Sequence, residues 1–181
     1  MKQVFLLSAL LFLLSCNNTR YEHPKLKDPK DKGMIINQGV IETWYVMEED
    51  DREDFLKNVW GTTELLPGTK QGKLSTKDLK ELMGRAKYTD RDAIGNVEQT
   101  TEFNEEIGLR GKALTYFKFL DSLYEHYFPG VIENMRKGIR NDPADDLVKA
   151  RFAALKLDVD NANKAARKII AERYPGVLIE P

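Results

Sequence analysis

Apolar residues recur at helical spacing through most of the chain after residue 34, most clearly over 101–128. Two adjacent stripes there alternate steps of three and four residues: Phe103, Ile107, Arg110, Leu114, Phe117, Asp121, Tyr124 and Phe128, and beside them Leu109, Ala113, Tyr116, Leu120, Leu123 and Tyr127. An apolar face of this width needs more than one neighbouring helix. We expect Pro129 and Gly130 to end this helix.

A second long helix is predicted over 143–173. Asp142, Pro143 and Asp145 have the order of an N-cap, a first-turn proline and an acid in the first turn. The apolar positions then keep heptad steps through Val148, Phe152, Leu155, Val159, Ala162, Ala166 and Ile169. Phe117 of the first helix and Phe152 of this one are both expected in the core.

Polar residues in the middle of this second helix predict a kink or a break. They are Asp158, Asp160, Asn161 and Asn163, and their spacing partly imitates a calcium-binding loop. Ala162 and Ile169 stand where such a loop needs ligands, so no calcium site is expected.

Shorter helices are predicted around these two. Ser75 and Asp78 form a capping box before a helix over 76–87, and 131–140 has the pattern of another. Residues 34–60 are read as helical, with Ile36, Val40, Trp44 and Met47 as the apolar stripe and the acidic run 48–54 as a solvated face. Residues 61–73 are expected to form a loop, and 88–100 a loop or weak helix. The chain is therefore expected to fold as an all-α small helical bundle, with its helical domain over 34–181.

The N-terminus carries a different pattern. Lys2 is followed by an apolar run of eleven residues from Val4 to Leu14, whereas a membrane-spanning helix needs about 20. This length is typical of a signal peptide. The run ends in Leu13, Leu14, Ser15 and Cys16, which resembles the lipobox of bacterial lipoproteins. That resemblance implies a signal peptide over 1–15, cleavage after Ser15 and lipidation of Cys16.

Residues 16–33 are expected to form a lipidated cysteine followed by a flexible tether. Pro24, Pro29 and Gly33 disfavour a helix, and little of the stretch is apolar. In lipoprotein sorting, Asp after the cysteine favours the inner membrane. Here Asn17 follows it, so the resemblance favours the outer membrane, facing the periplasm, with the cell membrane as the alternative.

Composition narrows the possible chemistry. The 181 residues include 28 Lys and Arg, 29 Asp and Glu, two His and one Cys, giving a formal net charge of −1. This balance gives no global attraction to nucleic acid, and one cysteine excludes an internal disulfide or a cysteine-rich zinc site.

Di-metal sites in helical bundles require a Glu three residues before each His, and His126 has none. His126 is interpreted instead as a residue at the C-terminal end of a helix. No Gly-x-Ser-x-Gly, Walker or dinucleotide-binding motif is present, so no catalytic, metal or cofactor residue is predicted.

Carboxylates alone remain as a possible catalytic set. Glu105 and Glu106 are expected to face water, whereas Asp121 falls on a stripe and is expected to be partly buried. A second carboxylate beside Asp121 would indicate an enzyme, and a basic partner on the 143–173 helix would indicate a structural role.

Three classes of function follow. The first is a non-enzymatic binding or assembly module anchored at Cys16, with a protein partner in the cell envelope, similar in layout to secretion accessories and immunity lipoproteins. The second is a lipoprotein that binds a lipid or small ligand, with the aromatic face around Tyr116 and Phe128 as its pocket. The third is an envelope hydrolase with an unrecognised carboxylate site.

Overall fold

A computed structural model describes residues 29–60, 75–102, 104–137 and 143–175, and these segments fold as an all-α bundle. The helices are α1 (Pro29–Val59), α2 (Thr76–Glu98), α3 (Leu109–Ser122), α4 (Phe128–Arg136) and α5 (Pro143–Arg173). A π-helical turn, Leu123–Tyr127, joins α3 to α4. The described part of the chain therefore contains four helical rods, the third of which is α3 continued through α4.

Neighbouring rods run antiparallel. Asn37 near the start of α1 contacts Thr101 just past the end of α2, whereas Asp51 further along α1 contacts Thr89. In the same way Gln38 and Tyr45 of α1 contact Asn163 and Asp160 of α5 in reverse order. The all-α class predicted from the sequence is confirmed, and the helix over 143–173 has the expected bounds.

The third rod differs from the predicted 101–128 helix at both ends. Residues before Leu109 form a turn, in which the Asn104 side chain accepts the amides of Glu106 and Ile107 and Gly108 adopts a positive φ of 62°. The Glu102 carboxylate accepts hydrogen bonds from two amides in the first turn of α3, those of Arg110 and Gly111. It takes the place of the backbone carbonyls that a preceding helical turn would supply.

Pro129 and Gly130 do not end this rod, contrary to the sequence prediction. Proline has no amide hydrogen and disrupts a helix interior. Here the amide of Phe128 donates to the carbonyl of Leu123, five residues back. This wider turn places Pro129 in the first turn of α4, where a missing amide costs little.

The first rod also differs from the prediction. Helix α1 begins at Pro29, so residues 29–33, which were predicted as part of the flexible tether, are helical. Its inward face is not the predicted stripe, since Ile36 is 64% and Met47 48% exposed. Instead the buried positions follow steps of three and four and include polar as well as apolar residues: Gln38, Ile41, Tyr45, Glu48, Arg52 and Phe55.

Helices α2 and α5 are each more continuous than the sequence predicts. The capping box of Ser75 and Asp78 is present, and α2 continues to Glu98 rather than ending near 87. Helix α5 runs unbroken through its Asp- and Asn-rich middle. The predicted loop 61–73 lies outside the described residues.

The core is formed mainly by the inward faces of α1, α2, α3 and α5. Phe117 is fully buried as predicted, whereas Phe152 is only partly buried. Tyr116, Phe117, Tyr124 and Phe128 are packed ring to ring inside the bundle. These four aromatic residues therefore belong to the core.

Candidate functional site

Four of the ionisable residues buried in the core are linked to one another by hydrogen bonds or by charge. Glu48 and Arg52 come from α1, Asp90 from α2 and Tyr116 from α3, and each is at most 1% exposed. We call them the ionisable cluster. Each occupies a position where heptad spacing places an apolar residue, which is why all of them point inward.

Arg52 is the buried cation of this cluster. Its Nη1 donates to the Tyr116 hydroxyl at 2.6 Å, and that hydroxyl donates to Glu48 Oε2 at 3.0 Å. Its Nε lies 3.6 Å from Glu48 Oε1, and its Nη2 lies 3.2 Å from the carboxylate of Glu49. The guanidinium also stacks over the Phe152 ring, 5.1 Å from the centroid. Although burial opposes its charge, Glu48 and the other neighbours outweigh burial and raise the pKa of Arg52, which stays charged.

The two buried carboxyl groups differ in their partners. Burial raises the pKa of Glu48 to about 7, even though Arg52 and Tyr116 favour its ionised form. Both oxygens of Asp90 lack a hydrogen-bond partner among the described residues. Burial, followed by the charges of Glu48 and Asp121, raises the pKa of Asp90 to about 9. At neutral pH Asp90 is therefore a neutral acid and Glu48 is partly ionised.

A second set of polar contacts ties α5 to α1. Gln38 Nε2 donates to Asn163 Oδ1 at 3.1 Å, and the Tyr45 hydroxyl donates to Asp160 Oδ1 at 2.7 Å. Glu42 pairs with Arg167. These contacts explain why the polar middle of α5 stays helical, because two of its four polar side chains have partners on α1.

An open groove lies on the outside of the bundle between α1 and α2. Its volume is about 990 Å³, and Asp51, Asp54, Asp78 and Glu81 line it together with Arg85. Tyr88, also in its wall, is 69% exposed. Among the described residues, the groove therefore combines an exposed aromatic ring with four carboxyl groups and one guanidinium.

The groove and the ionisable cluster lie on opposite sides of the same helix pair. Thr89 in the groove wall donates its hydroxyl to Asp51, and Asp90, the next residue, points into the core. None of the four ionisable-cluster residues lines the groove.

The residues singled out in the sequence are dispersed. Asp121 pairs with Arg91 of α2, with Arg91 Nε 2.9 Å from Asp121 Oδ1, and not with a residue of α5. Glu105, Glu106 and His126 are exposed. Cys16 lies outside the described residues.

Within 29–60, 75–102, 104–137 and 143–175, no group of three His, Cys, Asp or Glu side chains is placed to hold a metal ion. Over those same segments, no helix has the length and apolarity needed to cross a bilayer.

The burial of Glu48, Arg52 and Asp90 was not predicted from the sequence. The acidic run 48–54 was interpreted as a solvated face, which is correct for Glu53 and Asp54 but wrong for Glu48. A usable signal was present, because Glu48 and Arg52 continue the steps of three and four that join Ile41, Tyr45 and Phe55. The signal is visible only when polar residues are counted as members of a helical stripe, in the way that Asp121 was.

Comparison with known proteins adds no further constraint. No protein-family model, no curated protein and no solved structure matches this chain.

Proposed function

We propose that this protein is a lipid-anchored lipoprotein of the bacterial cell envelope whose helical domain is a non-enzymatic binding or assembly module. The anchor is Cys16, after a signal peptide over 1–15, and Asn17 favours the outer membrane on its periplasmic side. A domain held at a membrane in this way meets membrane-bound partners at a raised effective concentration.

The observation that carries the binding role is the separation of the ionisable cluster from the surface. Glu48, Arg52 and Asp90 have the chemistry of catalytic groups, but each is at most 1% exposed and none lines the groove. A general acid or base must reach its substrate directly or through one water molecule. Their placement supports a structural role in the core and leaves recognition to the surface.

The groove between α1 and α2 is the surface we assign to the partner. Its carboxyl groups favour a positively charged protein segment, and the exposed Tyr88 ring adds a flat surface for apolar or cationic side chains. Glu81 and Asp54 are exposed and lie outside the core, so their charge can be changed without disturbing the fold.

The anchor is tested by replacing Cys16 with Ala in cells supplied with labelled palmitate. We expect the wild type to take up label and to stay with the membrane after an alkaline carbonate wash, and the variant to do neither. A variant that still fractionates like the wild type would show that Cys16 is not the anchor.

The groove is tested by photo-crosslinking in cells from a light-activated residue at position 88. Position 147 on α5 is the matched control, because Leu147 is 76% exposed and lies outside the groove. We expect a defined adduct from position 88 only, and its loss when Asp54 and Glu81 are both changed to Lys. Equal adducts from both positions, or an adduct that survives charge reversal, would contradict the assignment.

A further inference from the structure

Asp90 is the buried group whose surroundings least resemble those of an ionised carboxylate. It occupies the inward stripe of α2 with Leu79, Ala86, Ala93 and Val97, and it is 0% exposed. Neither of its oxygens accepts a hydrogen bond from the described residues. An ionised carboxylate in such a place is strongly disfavoured, because no donor among the described residues replaces its lost hydration.

The nearby cations are already engaged elsewhere. Arg52 directs its nitrogens to Glu48, Glu49 and Tyr116. Arg91, next to Asp90 in the chain, points outward and pairs with Asp121 and Glu125. If Asp90 were ionised, its negative charge would therefore lie near that of Glu48, and both Arg52 and Arg91 would already be paired with other acids.

Charged or titratable neighbours face Asp90 from α1, α2, α3 and the π-helical turn. They are Glu48 and Arg52 from α1, Arg91 from α2 itself, Asp121 from α3 and Tyr124 from the π-helical turn. Glu48 in turn is influenced by Glu49 of α1, Tyr116 of α3 and Lys156 of α5. The balance of this set favours a protonated Asp90.

We propose that Asp90 is a proton-held latch between α1 and α2: the helix pair packs closely while the Asp90 carboxyl carries its proton, and loosens when that proton is lost. The inference concerns the core and does not depend on the groove or on the lipid anchor. It makes the fold sensitive to alkaline conditions.

The direction of the pH dependence follows from linkage. The pKa of Asp90 is about 9 in the folded protein against an ordinary 3.8, and that of Glu48 is about 7 against 4.5. Folded-state pKa values above the unfolded ones mean that the folded state holds the extra protons. Their stabilisation is complete below the ordinary carboxyl pKa and is lost as pH rises through about 7 for Glu48 and about 9 for Asp90. Between pH 7 and 9 only Asp90 still contributes, and one proton changes the folding constant by about tenfold per pH unit.

The test is urea unfolding of the protein at pH 6, 7, 8, 9 and 10, followed by tryptophan fluorescence. Trp60 packs against Phe128 and Phe152 and reports on the core. We expect the wild-type folding constant to fall by up to about tenfold per unit from pH 7 to 9. Asp90→Asn, which keeps the shape but cannot ionise, should flatten that fall to less than about twofold per unit.

Two further variants keep the test decisive. Asp92→Asn removes a carboxyl from the same helix at a partly exposed position and should keep the wild-type pH profile. If Asp90→Asn folds poorly at every pH, Glu48→Gln provides the second measurement. By removing the like charge it should lower the pKa of Asp90 and shift the alkaline loss of the folding constant to lower pH. A wild type that is equally stable from pH 7 to 9, or an Asp90→Asn variant with the wild-type profile, would overturn the latch.

Discussion

The core of this bundle contains two neighbouring clusters that are chemically opposite. In the first, the aromatic cluster, the Phe128 ring meets Phe55, Trp60, Tyr124 and Tyr127 with centroids 4.8, 5.4, 5.5 and 5.3 Å away. The second is the ionisable cluster of Glu48, Arg52, Asp90 and Tyr116. Burial stabilises the aromatic cluster directly, whereas the ionisable cluster must first compensate for lost hydration. The two clusters should therefore respond differently to truncation and to pH.

The largest effect is expected in the aromatic cluster. Phe128→Ala removes a fully buried ring with four aromatic neighbours, directly after the π-helical turn. The free energy of unfolding should fall by about 3–5 kcal/mol, measured by urea denaturation. The loss should be the same at pH 6 and pH 8, because no titrating group is removed. A pH-dependent loss would show that the two clusters are energetically coupled through Tyr124.

Arg52→Met should cost nearly as much, but for another reason. The variant leaves Glu48 buried without its cation and removes the hydrogen bond to Tyr116. Breaking a buried pair costs about 3–5 kcal/mol. The lower end applies here, because Glu48 can be neutralised by a proton. The loss should therefore be smaller at pH 5 than at pH 8, in contrast to Phe128→Ala.

The matched control is the double variant Glu48→Leu with Arg52→Met. Once both charges are absent, the apolar pair should recover most of the stability that Arg52→Met loses. If the double variant is as unstable as the single one, the cluster contributes through its shape and its contacts with Tyr116 and Phe152 rather than through charge balance.

The same contrast explains what the sequence could and could not predict. The α3 stripes and the bounds of α5 follow from apolar spacing and helix-end residues, which act locally. Phe117 was placed correctly in the core for that reason. Glu48 and Asp90 were missed because their burial depends on partners from other helices, and Arg52 and Tyr116 are 64 residues apart. The inward face of α1 was misassigned for the same reason, since Ile36 and Met47 are more apolar than Gln38 and Glu48 yet face outward.

The junction of α3 and α4 shows a related limit of prediction from local sequence. Pro129 and Gly130 predict a helix end from local rules, and those rules are correct about the missing amide. The π-helical turn at Leu123–Tyr127 accommodates the proline while Phe128 and Ile132 stay buried. Tertiary burial on both sides of the proline therefore outweighs the local preference to stop.

The smallest expected effect concerns the polar contacts between α1 and α5. Tyr45→Phe keeps the ring that packs edge-on against Tyr116, 5.5 Å between centroids, and removes only the hydroxyl that donates to Asp160 at 2.7 Å. The free energy of unfolding should fall by about 1 kcal/mol. Tyr88→Phe is the matched control, because its ring is 69% exposed, and it should change stability by less than about 0.5 kcal/mol. If neither variant changes the free energy of unfolding, the ion pair with the neighbouring Lys156 is a sufficient partner for Asp160. The polar middle of α5 would then be held by Asn163 and by apolar packing rather than by Tyr45.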